Sequence, residues 1–296
     1  MSASSRTPVI GVVGGSGVYE LDGLEDARWE RVGSPFGEPS DALLRGRIAG
    51  VEYVFLPRHG RGHRIPPSQI DYRANVDALK RAGVTDLISI SACGSLREEL
   101  EPGTFVLVDQ FVDRTVAREG SFFATGCVAH VSMADPVCGR LRRAIGDVAR
   151  ARDLRFHDGG TYLAMEGPQF SSRAESELYR SWGCDVIGMT NMPEAKLARE
   201  AELCYASVAM VTDYDCWHPS EQAVAVTDIV AVLTSNAERA RGLVAALGGA
   251  LVGRPVPCPH GCDRALDTAL ITAPEARAPE LLARLDAVAG RVLADD

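Results

Sequence analysis

The sequence lacks the features that would assign it to a membrane, to secretion or to a nucleic acid. No apolar run approaches the length of a bilayer span, and the N-terminal MSASSRTP has no apolar core of a signal-peptide kind. Positive charge is also scarce, with 31 Lys and Arg against 40 Asp and Glu and a net charge of -9. Because no basic surface can be large, we expect a cytoplasmic protein that binds neither nucleic acid nor membrane.

The common nucleotide-binding motifs and internal repeats are missing as well. The glycine-rich stretch 14–17 follows a short apolar strand, but Glu20 stands where a dinucleotide fingerprint has its third glycine. No Gly-Lys-Ser/Thr follows, which excludes a P-loop, and none of the candidate anion sites carries a Mg²⁺-binding pattern. Free phosphate is therefore a better candidate ligand than a nucleoside triphosphate.

Strand-like and helix-like stretches alternate along the 296 residues, which predicts an α/β fold: a single domain with a mixed central sheet flanked by helices. Ser172 and Glu175 form a predicted capping box, and Asn191 is the predicted cap of a helix that has Pro193 and Glu194 in its first turn and runs to about Glu202. We assign residues 1–250 to the domain. Residues 251–296 form a Pro-rich, then weakly helical tail, interpreted as a lid or an interface segment of the same domain.

Two carboxylates end the apolar run 207–211, which is typical of a buried strand. Acids at the carboxyl end of such a strand lie where open α/β sheets place their ligands. Asp213 and Asp215 repel each other there and lose solvation, so they need a metal or a hydrogen-bond-donating ligand. A turn residue that caps the next element is the alternative.

Candidate phosphate donors follow the ends of four other strands. Glycine-rich loops expose backbone amides to an anion, and hydroxyl groups donate hydrogen bonds to it. An arginine guanidinium binds a phosphate group through two parallel hydrogen bonds. The candidates are Ser16, Arg58, His59, Ser91, Ala92 and Thr190. Four such strand ends are more than turn chemistry alone requires.

The eight cysteines are scattered, and most are expected to be free thiols in a reducing compartment. Cys258, His260 and Cys262 offer three possible metal ligands within five residues. No second Cys or His pair lies nearby in the sequence, so a local disulfide or simple turn residues are the preferred interpretation.

These motifs together resemble the trimeric purine nucleoside phosphorylase family from about Val9 to about Leu247. The strings that carry the resemblance are IGVVGGSG (10–17), PFGEPSD (35–41), RHG (58–60), ACGSLR (92–97), EGPQFSSRAE (166–175) and TDYDCW (212–217). The resemblance implies a purine nucleoside phosphorylase-like fold. It also implies a pentosyltransferase of purine and methionine salvage that uses neither a metal nor an organic cofactor, with inorganic phosphate as co-substrate.

The implied reaction is phosphorolysis of S-methyl-5′-thioadenosine to adenine and 5-methylthioribose 1-phosphate. Phosphate attacks C1′ of an oxocarbenium-like ribose. Asp213 assists purine departure with a pKa raised by burial and by Asp215, and Asp215 selects the 6-amino group. By resemblance, the remaining substrate-binding residues are Met189, Phe170, Ser171, Tyr214 and Val226, with His130 lent across a subunit interface.

Several alternatives stay open at this point. The chain could act on 6-oxo purine nucleosides or on another 5′-modified adenosine, such as a halogenated one. It could also hydrolyse its substrate without phosphate, or bind purines without catalysis. The resemblance implies a homotrimer or a dimer of trimers with small-molecule ligands.

Overall fold

The computed structural model describes residues 4–15, 17–19, 21, 23–219 and 226–293. Its strands are β1 Ser4–Arg6, β2 Val9–Gly14, β3 Glu25–Glu30, β4 Leu43–Ile48, β5 Val51–Pro57, β6 Asp86–Ser95, β7 Phe105–Val108, β8 Gln110–Arg114, β9 Phe156–Asp158, β10 Thr161–Met165, β11 Val186–Gly188, β12 Cys204–Asp213 and β13 Arg254–Val256. Its α-helices are α1 Tyr72–Arg81, α2 Gly139–Ala151, α3 Arg173–Ser181, α4 Asn191–Glu200, α5 Val226–Leu251, α6 Pro279–Arg284 and α7 Asp286–Leu293. Within these ranges no helix is both long and apolar enough to cross a membrane.

The large sheet is mixed and has β6 at its centre. The strands run in the order β3-β4-β5-β2-β6-β11-β10-β8. A second branch starts at β6, where β12 pairs with β6, β7 pairs with β12, and β9 pairs with β7. β2 and β12 run parallel to β6, but β11 runs antiparallel to it. The predicted α/β fold with a mixed central sheet is confirmed.

A change of partner along β6 creates the space for a site. β2 pairs with β6 only as far as Ile90, and β11 pairs with it at Gly94 and Ser95. Because β12 pairs with β6 from Asp86 to Gly94, β11 must join on the edge that β2 has left. Residues 91–93 therefore lack a neighbouring strand on that edge, and their backbone is open to a ligand.

Two apolar layers cover the faces of the sheet. Alternate residues of β2 and β5 point to opposite layers, since Val13 and Val54 belong to one cluster and Val12 and Phe55 to the other. The first layer contains buried residues of α1, α4 and α7, and the second those of α2 and α5. The period-2 strand pattern thus becomes a sheet with helices on both faces.

Of the two predicted helix N-caps, the one of α3 is confirmed and the one of α4 is not. Ser172 Oγ accepts a hydrogen bond from the Glu175 amide, and the Glu175 carboxylate accepts one from the Ser172 amide, so the predicted capping box is confirmed. The prediction for Asn191 is wrong, because Thr190 is the N-cap residue. Asn191 is fully buried, and its side-chain amide donates to Ser207 Oγ instead.

The tail packs against the body of the domain. β13 pairs antiparallel with β1, and Leu285, Val288 and Ala289 are buried in the layer that contains α1. None of the described tail residues lines the cavity below, and the buried ones contribute to the core packing of this chain. The lid interpretation of residues 251–296 stays a prediction for the assembled protein.

Candidate active site

A cavity of about 310 Å³ opens where β6 exchanges β2 for β11. Its wall comes from the ends of β2, β5, β6, β11 and β12 and from one face of α5. The lining residues are Gly15, Val18, Arg58, His59, His63, Ile90, Ser91, Ala92, Cys93, Gly94, Met165, Phe170, Ile187, Gly188, Met189, Thr190, Met210, Thr212, Asp213, Asp215, Leu233 and Ala237. The structure therefore brings together most of the side chains that the sequence placed at separate strand ends.

Hydroxyl donors and open backbone occupy one part of the wall. Thr190 Oγ1 is buried and has no hydrogen-bond partner among the described residues. Ser91 Oγ is 3.3 Å from Asn191 Oδ1, a long contact that leaves the hydroxyl able to turn. A buried hydroxyl without a partner is costly, so the geometry of Thr190 favours a polar ligand in this cavity.

His59 is held as a neutral imidazole. Its Nδ1 lies 2.9 Å from the Ile65 carbonyl oxygen, and its ring stacks on His63 with centroids 4.2 Å apart. Burial, together with the charge of Arg58, lowers the pKa of His59 to about 4. Because Nδ1 donates its proton to the carbonyl, Nε2 is left as an acceptor for a protonated anion.

Arg58 lines the cavity, but its guanidinium is bound to the protein. Its Nε donates to Glu194 Oε2 at 2.9 Å, and Nη1 donates to the Ile90 carbonyl at 3.0 Å. Nη2 lies 2.6 Å from Ser89 Oγ and 3.2 Å from Glu194 Oε1. The predicted bidentate fork is thus directed at a buried carboxylate, and the side chains of both partners are less than 5% exposed.

The acid Asp213 belongs to a short hydrogen-bond chain. Thr212 Oγ1 is 2.7 Å from Asp213 Oδ2 and 3.1 Å from the Cys93 carbonyl oxygen. The hydroxyl donates and carries one hydrogen, so it can fully satisfy only one of these two acceptors at a time. Burial raises the pKa of Asp213, although the Thr212 hydroxyl and the Asp215 amide stabilise its charged form.

Asp215 is buried beside Asp213, and one of its carboxylate oxygens already accepts a hydrogen bond from the protein. Ser176 Oγ donates to Asp215 Oδ2 at 2.6 Å. Burial raises the pKa of Asp215, the Ser176 hydroxyl lowers it, and the charge of Asp213 raises it further. The sequence analysis predicted that Asp215 raises the pKa of Asp213. In the structure it is the charge of Asp213 that raises the pKa of Asp215, whereas the raised pKa of Asp213 comes from burial.

A β-bulge aims the two acids. Val211 pairs with Cys93 and Asp213 pairs with Gly94, so Thr212 is the extra residue of β12. A Cβ atom at Gly94 would lie 3.0 Å from Asp213 Oδ1 and 3.2 Å from Asp215 Cβ. Glycine at this position therefore allows β6 and the acid pair to approach closely.

Gly188 at the end of β11 also leaves room for a neighbour. A Cβ atom there would lie 1.9 Å from Tyr162 Oη, well inside contact distance. Tyr162 is fully buried, so its hydroxyl occupies the volume that a side chain at position 188 would need.

The remaining predicted residues differ in their positions. Met189 and Phe170 line the cavity, and Phe170 is 72% exposed. Ser171 and Tyr214 do not line it, and the Tyr214 hydroxyl donates instead to the Glu98 carbonyl at 3.2 Å. His130 is exposed and is not in the cavity of this chain. Ser16 and the side chain of Val226 lie outside the described residues.

Sequence reasoning assigned no role to three residues of the site. Ser176 lies in the first turns of α3 and Glu194 in the first turn of α4, where small and acidic residues are expected for helix formation alone. Thr212 belonged to the TDYDCW string, which did mark its neighbourhood. Only tertiary contacts bring Ser176 and Glu194 to the acids and to Arg58.

Comparisons with known proteins agree with this geometry. The family model described as phosphorylase superfamily matches residues 9–247. The S-methyl-5′-thioadenosine phosphorylase of Cereibacter sphaeroides is 67% identical over 96% of this chain and 98% of its own. The S-methyl-5′-thioadenosine phosphorylase of Rhodospirillum rubrum is 61% identical, and the match covers 99% of this chain and 100% of the relative.

Solved structures give the same result. A methylthioadenosine phosphorylase from an antarctic soil metagenomic library superposes with a TM-score of 0.88 at 44% identity, covering 96% of this chain and 99% of its own. A variant of the adenosine/methylthioadenosine phosphorylase of Schistosoma mansoni, in complex with methylthioadenosine, superposes with a TM-score of 0.77 at 37% identity. The match covers 82% of this chain and 91% of that structure's chain. The resemblance drawn from the motifs is confirmed, and the chain belongs to the phosphorylase superfamily.

Proposed function

We propose that this chain is a pentosyltransferase that cleaves S-methyl-5′-thioadenosine with phosphate, releasing adenine and 5-methylthioribose 1-phosphate. One observation carries the proposal: a single cavity joins a cluster of uncharged anion donors to a buried pair of carboxylates. Two relatives that carry this activity in their names match nearly the whole chain at above 60% identity. The 6-oxo alternative has no observation in its favour.

Phosphate would bind among Ser91, Ala92, Thr190 and His59. The hydroxyl of Thr190 and the open backbone of residues 91–93 would donate to its oxygens. Nε2 of neutral His59 would accept from a protonated phosphate oxygen, and the negative charge of the ligand would raise the pKa of the imidazole. Arg58 would act by holding Ile90 and Ser89 in place, since its guanidinium is already bound to the protein.

The purine would lie against the acids. Cleavage of the N-glycosidic bond leaves positive charge on the ribose and negative charge on the base, as in glycoside hydrolysis. Asp213 would donate a hydrogen bond or a proton to N7, and phosphate would then form the new bond to C1′. Asp215 would accept from the 6-amino group with the oxygen that Ser176 leaves unoccupied.

The 5′ group would meet an apolar part of the wall. Val18, Leu233 and Ala237 line the cavity and present no charge. A methylthio substituent would bury apolar surface there, at roughly 25 cal/mol per Å². The sequence left the 5′ substituent open, and this surface supports methylthio over a hydroxyl.

Adenine release from S-methyl-5′-thioadenosine, with and without phosphate, tests the reaction. We expect phosphate-dependent release of free adenine and slow turnover of inosine. Release that needs no phosphate would indicate a hydrolase. Tight adenine binding without any release would indicate a binding protein.

Exchange of Asp215 for asparagine tests base selection. The amide can donate to a 6-oxo group, so we expect the ratio of kcat/KM for methylthioadenosine over methylthioinosine to fall by about 10–100-fold. The two substrates share the 5′ group and differ only at position 6 of the purine. An unchanged ratio would remove Asp215 from base selection, and an Asp213→Asn variant should leave the ratio near its starting value.

We also infer a homotrimer in which His130 reaches the cavity of a neighbouring subunit. His130 is exposed, and its amide donates to the Ala269 carbonyl at 2.9 Å, so its segment is fixed while its side chain is open. Mass photometry that shows only monomer would contradict this inference. A cytoplasmic location and the absence of a cofactor in catalysis stay predictions.

A further inference from the structure

Four cysteines from distant parts of the chain converge at one buried point. The Sγ atoms of Cys138, Cys204, Cys258 and Cys262 all lie within 4.8 Å of one another. All four residues are at most 3% exposed. Cys138 precedes α2, Cys204 begins β12, and Cys258 and Cys262 flank the turn that follows β13. The second cysteine pair that the sequence lacked near Cys258 is therefore supplied by tertiary structure.

The spacing of the sulfur atoms fits four thiolates around one metal ion. Sγ of Cys138 and Sγ of Cys258 are 3.8 Å apart. A tetrahedron with zinc–sulfur bonds of about 2.3 Å has edges of about 3.8 Å, whereas a disulfide bond measures about 2.05 Å. The separation of Cys258 and Cys262 by three residues also lies within the usual range for a zinc-binding loop.

The loop between Cys258 and Cys262 is shaped as such a site requires. The Gly261 amide donates to the Cys258 carbonyl at 2.9 Å, and Gly261 has a left-handed φ of 66°. The Asp263 carboxylate accepts from the Cys258 amide at 2.9 Å. His260, a candidate ligand in the sequence, has its Nε2 only 3.0 Å from Arg143 Nη2 and contributes no ring nitrogen to the cluster.

Positive groups surround the sulfur atoms. Arg254 is buried, and its Nη2 lies 3.5 Å from Cys204 Sγ. Arg140 is close by through its ion pair with Asp86, which also lies 2.9 Å from Arg254 Nε. Cys138 is the N-cap residue of the 13-residue helix α2, whose positive dipole end favours thiolate. Such donors commonly support metal-bound sulfur.

We propose that these four cysteines bind one structural Zn²⁺ ion. Zinc is the usual ion of a closed tetrahedral site with four sulfur ligands. Binding would release the four thiol protons to solvent and change no oxidation state. The ion would fasten residues 254–262 to the amino end of β12 and to the start of α2.

The proposed ion has no part in the reaction. Cys204 and Asp213 stand at opposite ends of β12, nine residues apart, a separation of about 30 Å at 3.3 Å per residue. None of the four cysteines lines the cavity. The sequence led us to expect no metal at all, and this proposal departs from that expectation while leaving the catalytic proposal independent of it.

Metal analysis of the purified protein tests the site. We expect about one zinc per chain, retained through dialysis against EDTA and released when an organomercurial titrates the thiols. The double variant Cys258→Ser/Cys262→Ser should keep less than about a tenth of an equivalent and should unfold at lower temperature. The control Cys127→Ser/Cys184→Ser changes two other fully buried cysteines and should retain zinc.

A second measurement needs no variant. Wild-type protein refolded under reducing conditions with Co²⁺ should show the visible absorption of tetrahedral cobalt and a thiolate charge-transfer band. Metal-free wild-type protein that takes up no cobalt would overturn the proposal, as would iron in place of zinc. Disulfides among these four cysteines, detected by alkylation without reductant, would also overturn it. Adenine release by the refolded protein reports on the catalytic proposal separately.

Discussion

Replacement of Asp213 by asparagine should lower kcat by about 10²–10⁴-fold, the range expected for loss of a general acid. The asparagine amide can still donate a hydrogen bond to N7, but it cannot transfer a proton. The variant should fold normally, because its side chain fits the same space and keeps an oxygen for the Asp215 amide. Steady-state adenine release at saturating phosphate measures the effect.

The pH dependence of the same variant shows whether Asp213 acts as the acid. Burial raises the pKa of Asp213, so the folded enzyme keeps the carboxyl protonated to a higher pH than free aspartate. Activity of the wild type should therefore fall as pH rises through that raised pKa, and the Asp213→Asn variant should lose this limb of the profile. Asp215→Asn is the matched control and should retain the limb. If activity falls at the same pH in the wild type and in both variants, the titrating group is one other than Asp213.

Replacement of Arg58 by alanine should lower the free energy of unfolding by about 3–5 kcal/mol, the usual cost of removing one partner of a buried ion pair. The substitution would leave the Glu194 carboxylate buried with only the Tyr205 hydroxyl, 3.0 Å away, among its described side-chain partners. It would also remove the donors to the Ile90 carbonyl and to Ser89. Urea unfolding of both proteins at equal concentration measures the difference.

A second substitution separates the ion pair from a direct contact with phosphate. Adding Glu194→Gln to Arg58→Ala removes the unpaired charge, so the double variant should regain part of the lost stability. If Arg58 contacts phosphate directly, the double variant should recover stability while its KM for phosphate stays high. A KM that recovers together with stability would exclude a direct contact with phosphate and would trace the change in KM to the unpaired charge of Glu194. Equal stability of the single and double variants would contradict the buried-pair argument.

The sequence identified the elements of the site better than their relationships. The strand ends at Arg58, Ser91, Thr190 and Asp213 were recognisable because apolar runs stop there and polar residues follow. A mixed sheet was predicted, but the sequence did not indicate that β11 is the strand that runs antiparallel to β6. Its end reaches the cavity from the opposite direction, which strand periodicity cannot predict because it carries no information on strand direction.

The function of single residues was harder to predict than their presence. Arg58 was expected to bind phosphate, but a partner 136 residues away in the chain occupies its fork. The bulge at Thr212 aims the acids, although nothing in the composition of β12 distinguishes it from a regular strand. The same limit applies to Cys138 and Cys204, which are far from Cys258 in the sequence and adjacent to it in space. Such long-range pairings follow from topology and are absent from any local pattern.

The contact between Gly188 and Tyr162 has a consequence for how this site can evolve. Any side chain at position 188 collides with the tyrosine hydroxyl, so a first mutation there should be rejected whatever it would add to the cavity wall. A smaller residue at position 162 must come first, and it would leave a void beside β11 until the second change fills it. The order of the two steps is therefore constrained, and a library that varies both positions together would reach cavity shapes that stepwise mutation does not.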